Sequence, residues 1–314
     1  MLERTFISTL KSNPEIVGTQ GIVLAVSGGK DSMVLLHLAK RFEHHLPNNV
    51  VVATLNHGIR RDALEDVKLV VQCAQNLEFP VIVGSLSPKS FCDENTLRSH
   101  RRAFLLDVMD QVKADRIWTA HHADDAVETM VLRLGRGAGL MGATSPKLYD
   151  DPWAKPLLTV FSEDIEEFRR RFGVPFREDS TNLLTDYERN KIRLELIPFW
   201  SELLGYDVRK TLFSSLTSMS VFREFVEEQG LCLLDQLTVE RVPKMLKLRR
   251  KAFLSYSRSA QLVLFYLAVK SLKGDIRSRG HLEDAVNCVS KISDRDFGNF
   301  ALKVNKEIFV VEVL

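Results

Sequence analysis

A short polar run near the N-terminus has the residue types of an anion-binding loop. It follows the apolar residues 22–26 and consists of Ser27, Gly28, Gly29, Lys30, Asp31 and Ser32. Adjacent glycines let the backbone approach a ligand closely and adopt positive φ, while serine hydroxyls and the N–H groups that open a helix bind anions. The run therefore predicts a phosphate loop between a buried strand and a helix. A Walker-type loop is excluded because Asp31, not Ser or Thr, follows Lys30.

A second run places two histidines ahead of several carboxylates. Its members are His121, His122, Asp124, Asp125 and Glu128. If a helix begins near residue 123, Asp125 and Glu128 share a face because they are three residues apart. Such a pair suits Mg²⁺, which takes one or two carboxylates together with phosphate oxygens, but an acidic first turn also complements the helix dipole. The spacing alone leaves both interpretations open; a place at the strand end that faces the phosphate loop favours function.

The elements that position these runs alternate in the first half of the chain. We predict strands at 22–26, 50–55, 81–84 and 116–120, and helices near 32–45, 62–77 and 95–113. Short apolar strands separated by helices indicate parallel βαβ units, so we expect an α/β fold with a Rossmann-like parallel sheet. Ligands bind such sheets at the carboxyl ends of the strands. Both runs are predicted there, together with Asn56 and His57.

The second half is predicted to be mainly helical. A helix over about 188–203, bent by Pro198, is expected to end the first domain. Residues 206–273 show helical periodicity and no convincing strand, with a core at 231–237 and 262–267. One more helix (281–292) and a hairpin of 300–304 with 308–313 complete the prediction. The expected domains are 1–204, a small helical domain at 205–274, and a C-terminal helix and β-hairpin segment at 275–314.

Composition fits a soluble, cytoplasmic protein of about two domains. The chain has 314 residues, 45% hydrophobic and 27% charged, with a net charge of +2. No apolar run approaches the roughly 20 residues that a spanning helix needs, so no membrane association is expected, and no secretory signal is evident. The cysteines form no CxxC pair, which argues against a disulfide framework or a zinc site; they are Cys73, Cys92, Cys232 and Cys288.

The two runs together resemble a known family. The first is similar to the SGGxDS loop of adenylating ATP pyrophosphatases (the PP-loop), and the second to the HHxxDxxET signature of the tRNA(Ile)-lysidine synthetases. Further pieces are similar to that family in the same order, over about residues 21–200; they are 55–60, the glycine-rich loop 133–142, 155–158, 177–182 and 189–193. The chain departs from the family at Arg102, where Tyr is usual, and looks like a short form.

The resemblance implies a reaction and a set of site residues. ATP would activate C2 of the wobble cytidine in tRNA(Ile) with a CAU anticodon, and free lysine would attack it, releasing AMP after pyrophosphate. Asp31, Asp125 and Glu128 are the implied catalytic residues, with Asp31 and Asp125 as Mg²⁺ ligands. The implied ATP-binding residues are Ser27, Gly28, Gly29, Lys30, Asp31, Ser32, Asn56, His57 and His122.

Basic clusters are candidates for tRNA or substrate contact. The expected contact residues are Arg98, Arg101, Arg133, Arg189, Asn190, Arg193, Arg249 and Arg250. Each cluster also fits a solvated helix face, but on an adenylating enzyme the set favours phosphate binding. A tRNA thiolase of the PP-loop type or another adenylating synthetase is the alternative function. The sulfur chemistry of a thiolase commonly uses paired cysteines or an iron–sulfur cluster, a spacing these cysteines lack. The sequence leaves the oligomeric state open, a homodimer included.

Overall fold

The computed structural model describes residues 1–56, 63–86, 94–178, 188–276 and 278–313. The predictions that concern His57, Cys92 and residues 179–182 lie outside these ranges. The chain divides into two compact units, Met1–Met219 and Ser220–Leu314. None of the described helices is long and apolar enough to cross a membrane.

The first unit alternates strands and helices, as its sequence predicts. Its strands are β1 (Ile22–Ala25), β2 (Val50–Asn56), β3 (Val81–Ser85), β4 (Arg116–Trp118), β5 (Tyr149–Asp150) and β6 (Trp153–Ala154). Its helices are α1 (Leu2–Ser12), α2 (Lys30–Arg41), α3 (Ala63–Asn76), α4 (Glu94–Val112), α5 (Ala123–Gly135), α6 (Leu140–Ala143), α7 (Ser162–Phe172), α8 (Glu188–Lys191) and α9 (Ile197–Leu204). Short 3₁₀ turns cover Pro14–Ile16 and Glu43–His45.

These strands form one sheet in the order β3-β2-β1-β4-β6-β5, and every neighbouring pair is parallel except β5 with β6. Side chains of β1 alternate between two cores. Ile22 and Leu24 pack in a cluster with residues of α1, α2 and α7, whereas Val23 packs with Leu105 and Val108 of α4. Because both faces of β1 are covered, its four residues are all apolar. The α/β class and the four predicted strands are confirmed.

Two features of this unit differ from the prediction. The sequence does not predict β5 and β6, because a strand of two residues has no detectable period. The helix expected over 188–203 is interrupted by a π-helical stretch, Ile192–Leu196, between α8 and α9. Pro198 lies in the first turn of α9, and it cannot donate a hydrogen bond to the preceding turn, so the helix widens before it. Gly205 ends α9 with a φ of 73°.

The second unit combines helices with an antiparallel sheet. Its helices are α11 (Arg250–Leu254), α12 (Arg258–Ser271) and α13 (Arg279–Lys291), preceded by α10 (Val208–Leu237), which begins in the first unit. Its strands are β7 (Thr238–Val242), β8 (Met245–Arg249), β9 (Arg295–Asp296), β10 (Phe300–Val304) and β11 (Ile308–Val313). The sheet order is β7-β8-β11-β10-β9. The predicted terminal hairpin is confirmed as β10 and β11.

The prediction that residues 206–273 contain no strand is wrong. β7 and β8 form a hairpin there, and β8 also pairs with β11. In β8, Leu246 and Leu248 are fully buried, while Lys247 and Arg249 point away from the core; this short alternation is easily lost among basic residues. Leu234, Leu264 and Phe309 belong to one core, so the predicted boundary at 274 falls within a single packed unit. The three-part domain division stays a prediction.

Candidate active site

The phosphate loop connects β1 to α2 and has the backbone that its glycines predict. Gly28 has a φ of +89°, and a Cβ there would lie 3.3 Å from the carbonyl oxygen of Asp66. At Gly29 a Cβ would meet only Ser27 Oγ, at 3.6 Å, so the space in front of this residue is open to a ligand. Gly29 directly precedes the first turn of α2, whose free N–H groups favour an anion.

Internal hydrogen bonds fix the shape of this loop. Ser32 Oγ accepts a hydrogen bond from the Ser27 N–H at 3.1 Å and donates one to the Gly29 carbonyl at 2.9 Å. The N–H of Arg177 donates to the Gly28 carbonyl at 3.0 Å. Ser32 is buried, so its hydroxyl shapes the loop from within. Lys30 lies at the open side, with its ammonium 3.9 Å from the carboxylate of Glu166 on α7.

Asp31 and His122 bring the two sequence runs together. His122 follows β4, is only 4% exposed, and its Nε2 lies 3.6 Å from Asp31 Oδ2. The other oxygen of that carboxylate, Oδ1, is buried and has no hydrogen-bond partner among the described residues. A buried carboxylate oxygen normally has a partner. This oxygen therefore has unused capacity to accept a hydrogen bond or to bind a cation.

His122 is positively charged at neutral pH. Burial by itself lowers the pKa of an imidazole, but Asp124, Asp31 and Asp125 outweigh it and raise the pKa of His122 to about 10. Asp124 Oδ2 lies 3.2 Å from Nδ1, and Asp125 Oδ2 lies 3.7 Å from Nε2. An imidazolium at this place suits the phosphates of a nucleotide, and its charge excludes it as a general base.

His121 differs from its neighbour. Its Nδ1 lies 2.9 Å from Thr119 Oγ1. Desolvation and the charges of Lys155, Arg189 and Arg101 lower the pKa of His121, while Asp125 opposes them; the residue as a whole is exposed. The ring is therefore neutral at physiological pH.

The acidic pair of α5 is engaged by two arginines. Glu128 is 1% exposed; its Oε2 accepts from Arg189 Nε at 2.8 Å and its Oε1 from Arg193 Nε at 2.5 Å. Asp125 Oδ1 accepts from Arg189 Nη2 at 2.7 Å, and Asp125 Oδ2 accepts from the His122 N–H at 2.9 Å. All four carboxylate oxygens thus have close partners. A buried charge such as Glu128 requires them.

This four-residue ion-pair cluster changes the reading of several predicted residues. Asp125 and Glu128 share a face, as predicted, but neither has an oxygen without a partner to offer a metal. Arg189 and Arg193, expected to contact RNA, lie against these carboxylates instead, and their role in RNA binding stays a prediction. The sequence did contain a signal for the cluster: the arginines are four residues apart and the acids three, which matches one helical face to another.

Asp124 has structural partners that the sequence did not reveal. Its Oδ1 lies 2.9 Å from Arg209 Nη1, and its Oδ2 accepts from the Ser162 N–H at 2.9 Å. Arg209 also pairs with Asp207 and with Glu163. Desolvation raises the pKa of a carboxyl, but the His122 imidazolium and Arg209 hold the pKa of Asp124 below its usual value. Asp124 therefore joins the starts of α5, α7 and α10.

The remaining predicted residues have varied environments. Asn56 ends β2 at the carboxyl edge of the sheet, and Asn190 lies on α8. Arg98 and Arg101 are exposed on α4. Arg133 donates to the Gly142 carbonyl at 3.0 Å and so fastens the glycine-rich loop.

Two predicted contacts in the second unit bind the backbone of that unit. Arg249 donates to the Gln236 carbonyl at 2.8 Å. Arg250 donates to the carbonyls of Val289 and Ser290, at 2.7 and 2.8 Å, and so caps the end of α13. Both guanidinium groups thus have structural partners, and their contact with tRNA stays a prediction.

Comparison with known proteins agrees with this geometry. The PP-loop domain family matches residues 2–200. The tRNA(Ile)-lysidine synthase of Thermosipho africanus is 34% identical over 65% of this chain and 49% of its own length. The enzyme of the same name from Geobacter sulfurreducens is 35% identical over 74% of this chain and 54% of its own. That from Clostridioides difficile is 26% identical over 97% of this chain and 67% of its own.

The chain thus spans about half to two thirds of the length of these curated relatives. Among solved structures, the U34-tRNA thiolase NcsA of Methanococcus maripaludis, with its [4Fe-4S] cluster, is similar with a TM-score of 0.56 and 15% identity. The match covers 71% of this chain and 78% of that one. At this identity the likeness shows the fold alone.

Proposed function

The chain belongs to the PP-loop domain family, and on that premise we propose that it is an ATP-dependent ligase that converts a cytidine of tRNA to lysidine. The substrates are ATP, free lysine and tRNA(Ile) with a CAU anticodon, and the products are AMP, pyrophosphate and the modified tRNA. The relatives named tRNA(Ile)-lysidine synthase support this choice. The protein acts in the cytoplasm, where ATP and tRNA are present.

One observation carries the proposal: the 3.6 Å approach of His122 to Asp31. It joins the phosphate loop after β1 to the second run after β4, at the carboxyl edge of the sheet where such folds bind ligands. The open face of Gly29, the start of α2, Lys30 and the His122 imidazolium together provide donors and positive charge for a triphosphate. They favour departure of pyrophosphate by stabilising the charge that develops on it.

Asp31 is the residue that fits Mg²⁺. Among the described residues, no three side chains of His, Cys, Asp or Glu cluster into a metal cage, but Mg²⁺ is commonly held by one or two carboxylates with phosphate oxygens and water. The unpartnered Oδ1 of Asp31 suits that mode. When bound, the ion would neutralise charge on the phosphates. Asp125 is the weaker candidate because both its oxygens are engaged.

The reaction that we propose has two bond exchanges. The C2 oxygen of cytidine bonds to the α-phosphorus of ATP as the bond to the bridging oxygen breaks, and pyrophosphate leaves. The ε-amine of lysine then bonds to C2 as the C2–O bond breaks, and AMP leaves with that oxygen. The amine must lose protons to attack. We assign attraction of the lysine ammonium to Asp125, since 17% of its side chain is exposed, and we assign to Glu128 the holding of Arg189 and Arg193.

The proposed contacts with tRNA involve two arginines of the first unit and a broader region of the chain. We propose that Arg98 and Arg101 of α4 contact the tRNA. Both are exposed, and the relatives are named as enzymes that act on tRNA. We also propose that residues 205–274 contribute contacts. RNA-binding sites of this kind rest on phosphate neutralisation, which salt weakens.

One experiment tests the function directly. Purified protein is incubated with tRNA(Ile) transcript, ATP and lysine, and the anticodon nucleosides are analysed by mass spectrometry. We expect lysidine in place of cytidine, and pyrophosphate release that requires both lysine and tRNA. Sulfur incorporation without lysine dependence would instead favour the thiolase alternative. Pyrophosphate release with small molecules and no tRNA would indicate another adenylating synthetase.

A further inference from the structure

A second charged region lies at the carboxyl edge of the same sheet, on β6. Lys155 follows Ala154, the last residue of that strand. β6 runs parallel to β4, with Trp118 opposite Ala154, and the Thr119 N–H donates to the Ala154 carbonyl at 3.0 Å. Lys155 is therefore at the same edge as the histidines that follow β4, on the side away from the phosphate loop.

The ammonium of Lys155 is only partly used by the protein. Nζ donates to the Lys147 carbonyl at 3.0 Å, which leaves two of its three N–H donors. No carboxylate of the described residues forms an ion pair with it; Asp150 attracts it only over a longer distance. The side chain is partly buried, and a buried cation of this kind normally has an anionic partner.

Two arginines of α4 add to the positive charge. The guanidinium of Arg102 lies 4.2 Å from the ring centroid of Trp153 on β6, a cation–π contact that fixes its position. Burial comes first among the causes that lower the pKa of Lys155, and the charges of Arg102 and Arg98 follow. Three cations thus repel each other at one place, and they would gain from a bound anion.

We propose that Lys155, Arg98 and Arg102 form an oxyanion site that holds a backbone phosphate of the RNA substrate, next to the nucleotide that is modified. This inference rests on the proposed function, since it assumes an RNA substrate. The two arginines are exposed, so the site is open to a polymer. The phosphate loop is two strands away, about 10 Å at the usual strand spacing, which leaves the site to a group other than the ATP triphosphate.

The test compares Lys155→Met with Lys155→Arg in the full-length protein. Dissociation constants for the tRNA(Ile) transcript are measured over a salt series, without ATP or lysine. We expect Lys155→Met to weaken binding several-fold and to reduce the slope of log K against log salt by about 0.7 to 0.9, as for one lost phosphate contact. Lys155→Arg keeps the charge and should restore most of the slope.

Lys11→Met is the matched control. Lys11 is exposed on α1 and close to His45, which precedes β2 and so lies at the opposite edge of the sheet. Its removal should leave the slope unchanged. If Lys155→Met does not fold, Arg98→Met tests the same site, because that side chain is exposed.

The outcomes separate the inference from the function. An unchanged slope in both Lys155→Met and Arg98→Met, with wild-type lysidine formation intact, overturns the oxyanion site and leaves the function standing. A raised KM for lysine with unchanged RNA binding also overturns it, because the site would then hold the amino-acid carboxylate. Absence of lysidine formation and of tRNA binding in the wild-type protein contradicts the proposed function itself.

Discussion

Asp31 lies in the first turn of α2 and Glu128 in the second turn of α5, beside the same sheet edge, yet their carboxylates have different surroundings. Asp31 has one oxygen near His122 and one buried oxygen without a partner among the described residues. Glu128 is 1% exposed, and both its oxygens accept hydrogen bonds from Arg189 and Arg193. The first carboxylate has capacity left for a ligand, whereas the second is saturated by the protein. Residue type and motif membership alone do not make this distinction.

The sharpest test of the comparison is Asp31→Asn. This change removes the charge at the unpartnered oxygen and preserves the shape of the side chain. We expect lysidine formation and ATP–pyrophosphate exchange to fall by about 10²- to 10³-fold, as when one electrostatic stabiliser is lost. Thermal unfolding should change only slightly, through the lost attraction between Asp31 and the His122 imidazolium. Exchange at the wild-type rate would place the phosphate chemistry elsewhere.

Glu128→Gln should behave differently, because it breaks contacts within the protein. We expect single-turnover lysidine formation to fall about 100-fold, because Arg189 and Arg193 lose their anchor and the site its geometry, and the free energy of unfolding to fall by about 2 kcal/mol. Removing one partner of a buried pair costs more than that, but both arginines are more than a third exposed, so water compensates in part.

Asp125→Asn and Asp110→Asn frame this result. Asp125→Asn should reduce the rate of lysidine formation by a similar factor, with a smaller decrease in the free energy of unfolding. Both Asp125→Asn and Glu128→Gln should still bind tRNA. Asp110 is exposed on α4, so its replacement controls for a lost charge. If Asp125→Asn and Glu128→Gln both modify tRNA at the wild-type rate, the ion-pair cluster has a structural role only and these carboxylates are not catalytic.

The same contrast explains which parts of the site the sequence could predict. The phosphate loop is contiguous, so Gly28, Gly29 and Asp31 could be assigned from six adjacent residues, and the parallel strands from their apolar runs. The arginine partners of Glu128 and Asp124 are more than 60 residues away in the chain, and no local pattern reports them. β8 was missed for the opposite reason: its pattern is local but only five residues long, and basic side chains occupy its exposed face.

The charge of His122 predicts a pH dependence. Its pKa is raised from 6.5 to about 10 in the folded protein, so its contribution to stability is fully present below pH 6.5 and is lost as the pH rises through about 10. We expect the free energy of unfolding to decrease by about 3 to 4 kcal/mol from pH 7 to pH 10. Urea unfolding of the wild-type protein and His122→Gln measures this, and the variant should lack that decrease. Equal pH profiles would show that His122 is neutral.

The two loop glycines distinguish a ligand-facing position from a strained one. Gly28→Ala places a side chain at a φ of +89°, and should lower stability by about 1 kcal/mol. Gly29 has a φ of −72° and room for a Cβ, so Gly29→Ala should leave stability unchanged while abolishing ATP-dependent turnover, because its methyl group would point at the phosphates. Thermal unfolding and ATP–pyrophosphate exchange check both. Normal exchange in Gly29→Ala would mean that phosphate does not approach there.

The smallest effects concern two adjacent cations of the second unit, which differ in how far the protein itself uses their hydrogen-bond donors. Arg250 is committed to the Val289 and Ser290 carbonyls, whereas Lys251 is exposed on α11. Arg250→Met should lower the free energy of unfolding by about 1 kcal/mol through the lost cap and leave the salt dependence of tRNA binding unchanged. Lys251→Met should leave stability unchanged and, if this surface contacts tRNA, reduce the log–log salt slope by about 0.7 to 0.9. A reduced slope in Arg250→Met at unchanged stability would contradict the contrast, because it would show that the guanidinium binds phosphate and does not stabilise the end of α13.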